Sequence, residues 1–395
     1  MWKKTFFSAF LAQVLSIVGF SFALPFLPFF ISELGIRDIS QQTYWAGILL
    51  SASGFTFTIF SPLWGFLADK YGKKVMVVRS MFSGTFILFL MSFVKNVHQL
   101  LICRLLQGAL TGTIVASVTL VASVVPSEKS GFTLGMMQAA VSIGNSIGPL
   151  IGGFFADRFG YRSAFRIGGI ITFIGGLLVL IFARENISKI NNNKKEEGFS
   201  FKEILKIKGF WIAIIIMFAV RFSNTIINPS FPLVVKEIVQ NPERLNTITG
   251  GIIGIAAITE GFCAAIVGFI GDAIGTYLNI TINCFIFAAL SSIGHFFSYS
   301  VFVLLIFRII YVGSVAGLIP SANSIIKKLI EERAIGKAYG IVTSISMLGF
   351  AFGPLVGGYT GKILGIRTPF LITALTQSLI SLIFLYYFKK WKIKI

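Results

Sequence analysis

Gly148-Pro149-Leu150-Ile151-Gly152-Gly153 returns 205 positions later as Gly353-Pro354-Leu355-Val356-Gly357-Gly358. The flanks repeat too: Gly144 with Gly349, Gly160 with Gly365, Arg162 with Arg367, Phe165 with Phe370. Working outward, Pro25 and Pro28 recur as Pro229 and Pro232, and Arg104 recurs as Arg308, both at a spacing of 204. Gly65, Asp69 and Gly72 recur as Gly268, Asp272 and Gly275 at 203. A hydrophobic chain duplicated along its whole length is the pattern of a membrane carrier built from two related halves.

Composition supports that reading. Hydrophobic residues make up 55% of the 395 and charged residues only 12%, about half the share of a soluble domain. Mean hydropathy is +0.86. Too little polar surface exists to cover a water-facing shell, so an integral membrane protein is expected. Cutting at charged or turn-rich breaks leaves twelve apolar stretches long enough to cross a bilayer. They run near 6–32, 43–68, 74–94, 98–124, 131–155 and 163–183, then 208–236, 245–270, 277–297, 299–326, 337–359 and 368–388. The expected fold is all-α: twelve transmembrane helices in two pseudo-symmetric six-helix bundles, 1–183 and 209–395. A cytoplasmic linker, 184–208, joins them, with a short surface helix near Phe201–Ile207.

Net charge is +19, and its placement argues against nucleic acid. Most Lys and Arg fall in the segments that are cytoplasmic if both termini are cytoplasmic, among them Lys3, Lys4, Lys70, Lys73, Lys74, Lys194, Lys195, Lys327, Lys328 and the tail lysines. The amino-terminal apolar run has no small-residue cleavage site and reads as a retained first helix. Cys103, Cys263 and Cys284 lie within apolar spans and form neither a disulfide framework nor a metal spacing. No nucleotide loop, metal set or nucleophile constellation is present, so an enzyme is not expected. The expected partners are a small-molecule substrate, protons and membrane lipid, with protons as coupling ion, no cofactor, no metal and a monomeric state.

The loop Gly65-Phe66-Leu67-Ala68-Asp69-Lys70-Tyr71-Gly72-Lys73-Lys74 places an acid among bases at the membrane surface, between glycines that permit a turn. An ordinary positive-inside loop would explain Lys73 and Lys74, but not Gly, Asp and Gly at these intervals. In this loop the chain resembles the major facilitator superfamily. Arg104, with Gln107 and Gly108, resembles that family's helix-four motif. Gly144, Gly148, Pro149, Gly152 and Gly153 resemble its exporter motif, and Gly19 with Pro25 and Pro28 resembles the first-helix motif of its twelve-helix drug:proton antiporter branch. The resemblance spans nearly the full length and is to bacterial multidrug efflux transporters of the MdtG type. It implies a gating role for the loop residues, including Asp272, and alternating access of two bundles about a central cavity in a bacterial inner or plasma membrane. The glycine–proline element has a physical reading as well. Its proline removes a backbone hydrogen bond and kinks the helix, and its glycines make a flat face that serves either bending or plain close packing.

Departures from the repeat mark candidate chemistry. A charge at the bilayer centre costs about 2.5–3.5 kcal/mol on insertion scales. Of 15 acids only Glu260 falls near the middle of a span, and its first-half counterpart is Phe57. Arg221 corresponds to Ile17, and Asn224 and Asn228 to Phe20 and Leu24. At 1.5 Å per residue, Glu260 and Arg221 both lie roughly 15–20 Å from the cytoplasmic end of their helices. Glu260 is therefore the candidate proton-coupling carboxylate with Arg221 its partner, a static ion pair being the alternative. By resemblance Arg104 is a candidate for proton relay or substrate contact; its repetition as Arg308 favours a structural role equally. Phe20, Phe57, Asn145, Met217, Arg221, Asn224, Asn228 and Glu260 are the candidate cavity residues, with Phe22, Tyr44 and Trp64 as further aromatics. His98 and His295 are expected at the interface. The expected function is proton-coupled export of amphiphilic drugs or other small molecules. A narrow exporter of a sugar, siderophore or metabolite, or a lipid or lysolipid transporter, is the alternative.

Overall fold

A computed structural model describes residues 2–185, 201–207, 209–239, 241–274, 278–331 and 334–391. The polar run Asn191–Glu197, Gly275, the tail lysines beyond 391 and the side chain of Asp272 lie outside the described residues. No strand occurs among the described residues. The helices are α1 (Trp2–Ser21), α2 (Leu27–Glu33), α3 (Ile39–Tyr71), α4 (Lys73–Phe93), α5 (Val97–Leu110), α6 (Thr113–Val124), α7 (Ser127–Phe182), α8 (Phe201–Lys206), α9 (Phe210–Ile226), α10 (Phe231–Ile238), α11 (Leu245–Ile274), α12 (Leu278–Phe296), α13 (Val301–Leu329), α14 (Ile335–Leu364) and α15 (Thr368–Trp391). Among the described residues, eleven stretches are long and apolar enough to cross a membrane, one of them the 55-residue Glu128–Phe182.

That long stretch is two crossings. Gly160, at φ 77°, breaks α7, and its repeat partner Gly365, at φ 99°, separates α14 from α15. A side chain at such a φ is strained, so glycine marks the same turn in both halves. The first crossing of each half is broken as well, where sequence suggested one continuous run. α1 stops at Ser21 and α2 resumes with Pro28 in its first turn; α9 stops at Ile226 and α10 resumes with Pro232 in its first turn. Proline fits there because the first turn needs no intrahelical N–H donor.

Compactness divides the chain into two units. The first comprises Met1–Arg37, Ala52–Lys194 and Gln240–Ile258; the second comprises Asp38–Ser51, Lys195–Val239 and Thr259–Ile395. Each sequence half thus lends one short segment to the unit that holds most of the other half. The start of α3 belongs to the second unit and the start of α11 to the first.

The glycine–proline element shows what holds each lent segment. In the first unit Gly144, Gly148 and Gly152 face α1 and its end: a Cβ there would fall on Ile17, Ser21 or the carbonyl of Phe22. Gly153 points the other way, onto the carbonyl of Asn246 at the start of α11, and Gly250 of α11 lies against the carbonyl of Pro149. The second unit repeats this arrangement. Gly349, Gly353 and Gly357 face α9 at Phe218, Thr225 and Ile226, Gly358 faces Gly47 of α3, and Gly47 lies against the carbonyl of Pro354. Each motif helix therefore has two backbone-close faces, one for the first helix of its half and one for the lent segment. Without side chains between them the backbones gain close van der Waals contact, which drives helix association where lipid removes the hydrophobic force.

Candidate functional site

In the first unit Arg104 sits on α5, 4% exposed. Its guanidinium donates to Ser53 Oγ at 2.7 Å and to Gln107 Oε1 one turn along its own helix. Gly108 lets α5 approach the Ser53 carbonyl of α3, which brings the Ser53 hydroxyl within reach of Arg104. Beside it, Trp64 donates to the carbonyl of Ala109 at 2.6 Å and Arg79 to that of Leu110 at 2.7 Å, with the Arg79 guanidinium 3.5 Å from the centre of the Trp64 ring. These two side chains satisfy carbonyls left open where α5 ends.

In the second unit a group of polar side chains gathers from α9, α11, α12, α13 and α15. Glu260 on α11 lies in the field of Arg308 on α13 and, more weakly, of Arg221 on α9. Neither arginine makes an ion pair with it within 4.0 Å among the described residues, so the expected Glu260–Arg221 contact is not formed in this structure. Arg308 lies 4.7 Å from the centre of the Phe231 ring and 5.7 Å from that of Tyr311. Its Nε and Nη1 are buried with no hydrogen-bond partner, as is Nε of Arg221. Aromatic faces attract a guanidinium but do not replace acceptor oxygens.

His295 on α12 completes the group. It is 1% exposed, which corrects its expected interfacial position. Its ring stacks on Phe370 at 5.2 Å and meets Tyr311 edge-on at 5.9 Å. Nδ1 lies 2.8 Å from the carbonyl of Ser291, and Nε2 has no partner. Tyr311 faces Gln377 of α15 without a hydrogen bond of normal geometry. The rings of Phe307, Tyr311 and Phe370 enclose the imidazole, and the Ser291 carbonyl meets one of its two nitrogens. His98, by contrast, is exposed at the start of α5.

The other sequence candidates are placed as follows. Phe20 lies over Gly84, Phe57 near Gly112, and Asn145 is exposed and accepts from Ser21 Oγ at 3.1 Å. Met217 and Asn224 are half-buried and Asn228 is exposed. Phe22 is 1% exposed and packs on Phe155, so it belongs to the first unit's core and not to a cavity wall. Tyr44 lies beneath Lys362, whose Nζ is 4.3 Å from the ring centre. In the last turn of α3, Asp69 is exposed and makes no ion pair among the described residues. Glu185 instead holds the start of α4, accepting from the backbone N–H of Lys73 at 3.0 Å and of Lys74 at 2.7 Å. Sequence reasoning missed Glu185 and Tyr311, and it named Arg308 and His295 without joining them to the polar group of the second unit. Glu185, Arg308 and His295 lie far in the chain from the groups they meet. Tyr311 was open to comparison, since it stands where the first half has Gln107.

Among the described residues no cluster of His, Cys, Asp and Glu is placed to hold a metal. A pocket of about 360 Å³ in the second unit is lined by Leu205, Trp211, Ile212, Ile380 and Phe384 among others. It contains neither Glu260 nor either arginine, so it is separate from the charged group.

The chain is similar to the multi-drug resistance efflux pump PmrA of Streptococcus pneumoniae (29% identical; 95% of this chain, 93% of that protein). It is similar also to the multidrug resistance protein MdtG of Proteus mirabilis (28% identical; 94% of this chain, 93% of that protein). Among solved structures, a bacterial homolog of the human lysosomal transporter Spinster shares the fold, with a TM-score of 0.78 over 96% of this chain and 95% of that one at 12% identity. The family model for the Major Facilitator Superfamily matches residues 9–233 and 213–392. With both halves matched and the duplicated helical frame in place, the chain belongs to the Major Facilitator Superfamily.

Proposed function

We propose that this transporter exports amphiphilic small molecules in exchange for protons by alternating access. Glu260 is the proton-binding group, and the setting is a bacterial cell membrane with both termini in the cytoplasm. The efflux pumps it resembles support the direction and the substrate class. The observation that carries the coupling role is Glu260 itself, a carboxylate at membrane depth in the field of two arginines but bonded to neither. A carboxylate's proton affinity depends on its burial and on its distance from nearby charge. A change of a few ångströms toward Arg308 or Arg221 therefore changes whether the proton stays. Substrate competing for the carboxylate has the same effect, which links the two fluxes.

In proteoliposomes with an imposed proton gradient, Glu260→Gln should abolish gradient-driven transport while substrate-for-substrate exchange continues. Undiminished gradient-driven transport would remove Glu260 from the coupling step. A second reading follows from the unpartnered Nε and Nη1 of Arg308. Two arginines and one carboxylate also suit an acidic or zwitterionic amphiphile, whose carboxylate would take those donors. Competition by organic anions, lost in Arg308→Met, distinguishes it from transport of lipophilic cations.

A further inference from the structure

The start of α11 rests on a helix cap it does not own. The first helical residues, Leu245-Asn246-Thr247, run on from a 3-10 turn, Pro242–Arg244, whose Pro242 carbonyl takes the Leu245 N–H, and Arg244 has no side-chain oxygen to offer the next two amides. The acceptors come from Asp157 of α7, in the same unit. Its Oδ1 accepts from the Asn246 N–H at 3.0 Å and side-chain amide at 2.8 Å, and its Oδ2 from the Thr247 N–H at 2.7 Å and hydroxyl at 2.6 Å. The Tyr161 hydroxyl accepts a further bond from the Asn246 amide at 3.1 Å. One carboxylate thus satisfies the second and third amides of the helix, the work an N-cap residue normally does for its own helix. It also faces the positive end of the helix dipole.

The repeat-related dock is built differently. α3 begins with its own cap, since Asp38 accepts from Ser40 Oγ and from the Gln41 N–H at 3.0 Å. The position that matches Asp157 in the second half is Lys362, which lies over Tyr44. Gly153 and Gly250 of the first dock correspond to Gly358 and Gly47 of the second, yet only in the first does the cap belong to the helix opposite.

We infer that Asp157 is a latch: it holds the start of α11 on the Gly-rich face of α7, and its release is the step that frees this segment. α3 carries its cap along and leaves its dock without that loss, so the two docks open at different cost. The idea rests on the alternating-access reading, because only such a cycle requires α11 to leave α7. It makes Asp157 a positioning residue that acts through the helix end and not on substrate or proton.

The test uses the full chain in proteoliposomes with no gradient and no substrate, so its outcome does not depend on coupling at Glu260. In a background carrying Cys103→Ala, Cys263→Ala and Cys284→Ala, Leu150→Cys reports departure of α11, because Leu150 packs against Gly254. Asp157→Ala should speed maleimide labelling about five- to tenfold, the equilibrium effect of a lost cap, and Asp157→Asn should fall between. Asp38→Ala removes an equivalent cap from α3 and should leave labelling unchanged. Should Asp157→Ala fold poorly, adding Arg244→Ser gives α11 a cap of its own. Restored thermal stability with labelling still fast supports the latch. Labelling that Arg244→Ser returns to the starting rate, or that Asp157→Ala never raises, overturns it and leaves an ordinary helix cap.

Discussion

Arg104 and Arg308 occupy the same place in the two halves, 204 positions apart, and live in opposite conditions. Arg104 is bonded to Ser53 and Gln107. In the second half those two acceptor positions are Ala256 and Tyr311. Ala256 offers no side-chain oxygen, and Tyr311 meets Arg308 with its ring, its hydroxyl making no hydrogen bond to the guanidinium. One helical turn beyond Ala256, the half replaces Phe57 with Glu260. The first half thus uses its arginine as a strut between helices. The second has removed the neutral acceptors and placed a carboxylate at a distance, which leaves the cation free to respond to whatever the carboxylate binds. A repeated residue keeps its structural role only where its partners are repeated with it.

The largest expected effects probe what the halves share. Gly152→Val and Gly357→Val each push a side chain into the carbonyl of the helix opposite, Phe22 or Ile226. Each should cost about 3 kcal/mol or more and abolish transport, as read from thermal unfolding in detergent and from vesicle uptake. Tolerance at one of the two would show that the close-packed frame is not symmetric.

Smaller effects should separate the arginines. Arg104→Ala strands Gln107 and Ser53 and should destabilise the protein by about 1–3 kcal/mol, with the pH profile of transport unchanged in the protein that remains. Arg308→Ala removes a cation that has few bonds to lose and leaves Glu260 only the weaker field of Arg221. Its stability should stay near that of the starting protein while the pH profile of transport moves. Matching profiles in the two variants would erase the comparison.

The smallest effect concerns the self-capped dock. The Ser40 hydroxyl and the Gln41 N–H beside Asp38 hold its carboxyl below the usual carboxylate range. A depressed value in the folded state means that the cap contributes above the unfolded pKa, near 3.9, and is lost as pH falls through the lower folded value. The melting-temperature difference between the starting protein and Asp38→Ala should hold from neutral pH to about pH 4 and then shrink. A difference that persisted below that range would show that the carboxylate charge is not what caps α3.

Much of this frame was legible in the chain. The duplication, the helix count, the breaks at Gly160 and Gly365, and the lone mid-span acid all depend on local chemistry or on composition, and both are written residue by residue; the breaks before Pro28 and Pro232 came only with the structure. Even the difference between the arginines was half visible, because Gln107 maps onto Tyr311 and Phe57 onto Glu260. What no spacing could supply was who meets whom. Asp157 caps a helix that begins 88 residues later, Glu185 holds the start of a helix more than 110 residues earlier, and His295 stacks on Phe370. Hydrogen bonds and ring contacts need atoms within a few ångströms, and for residues this far apart only the packing of helices decides that. The repeated frame is written along the chain, because glycine, proline and hydropathy act where they stand. The tertiary structure decided which charges are satisfied and which remain available, because a charge's role depends on its neighbours.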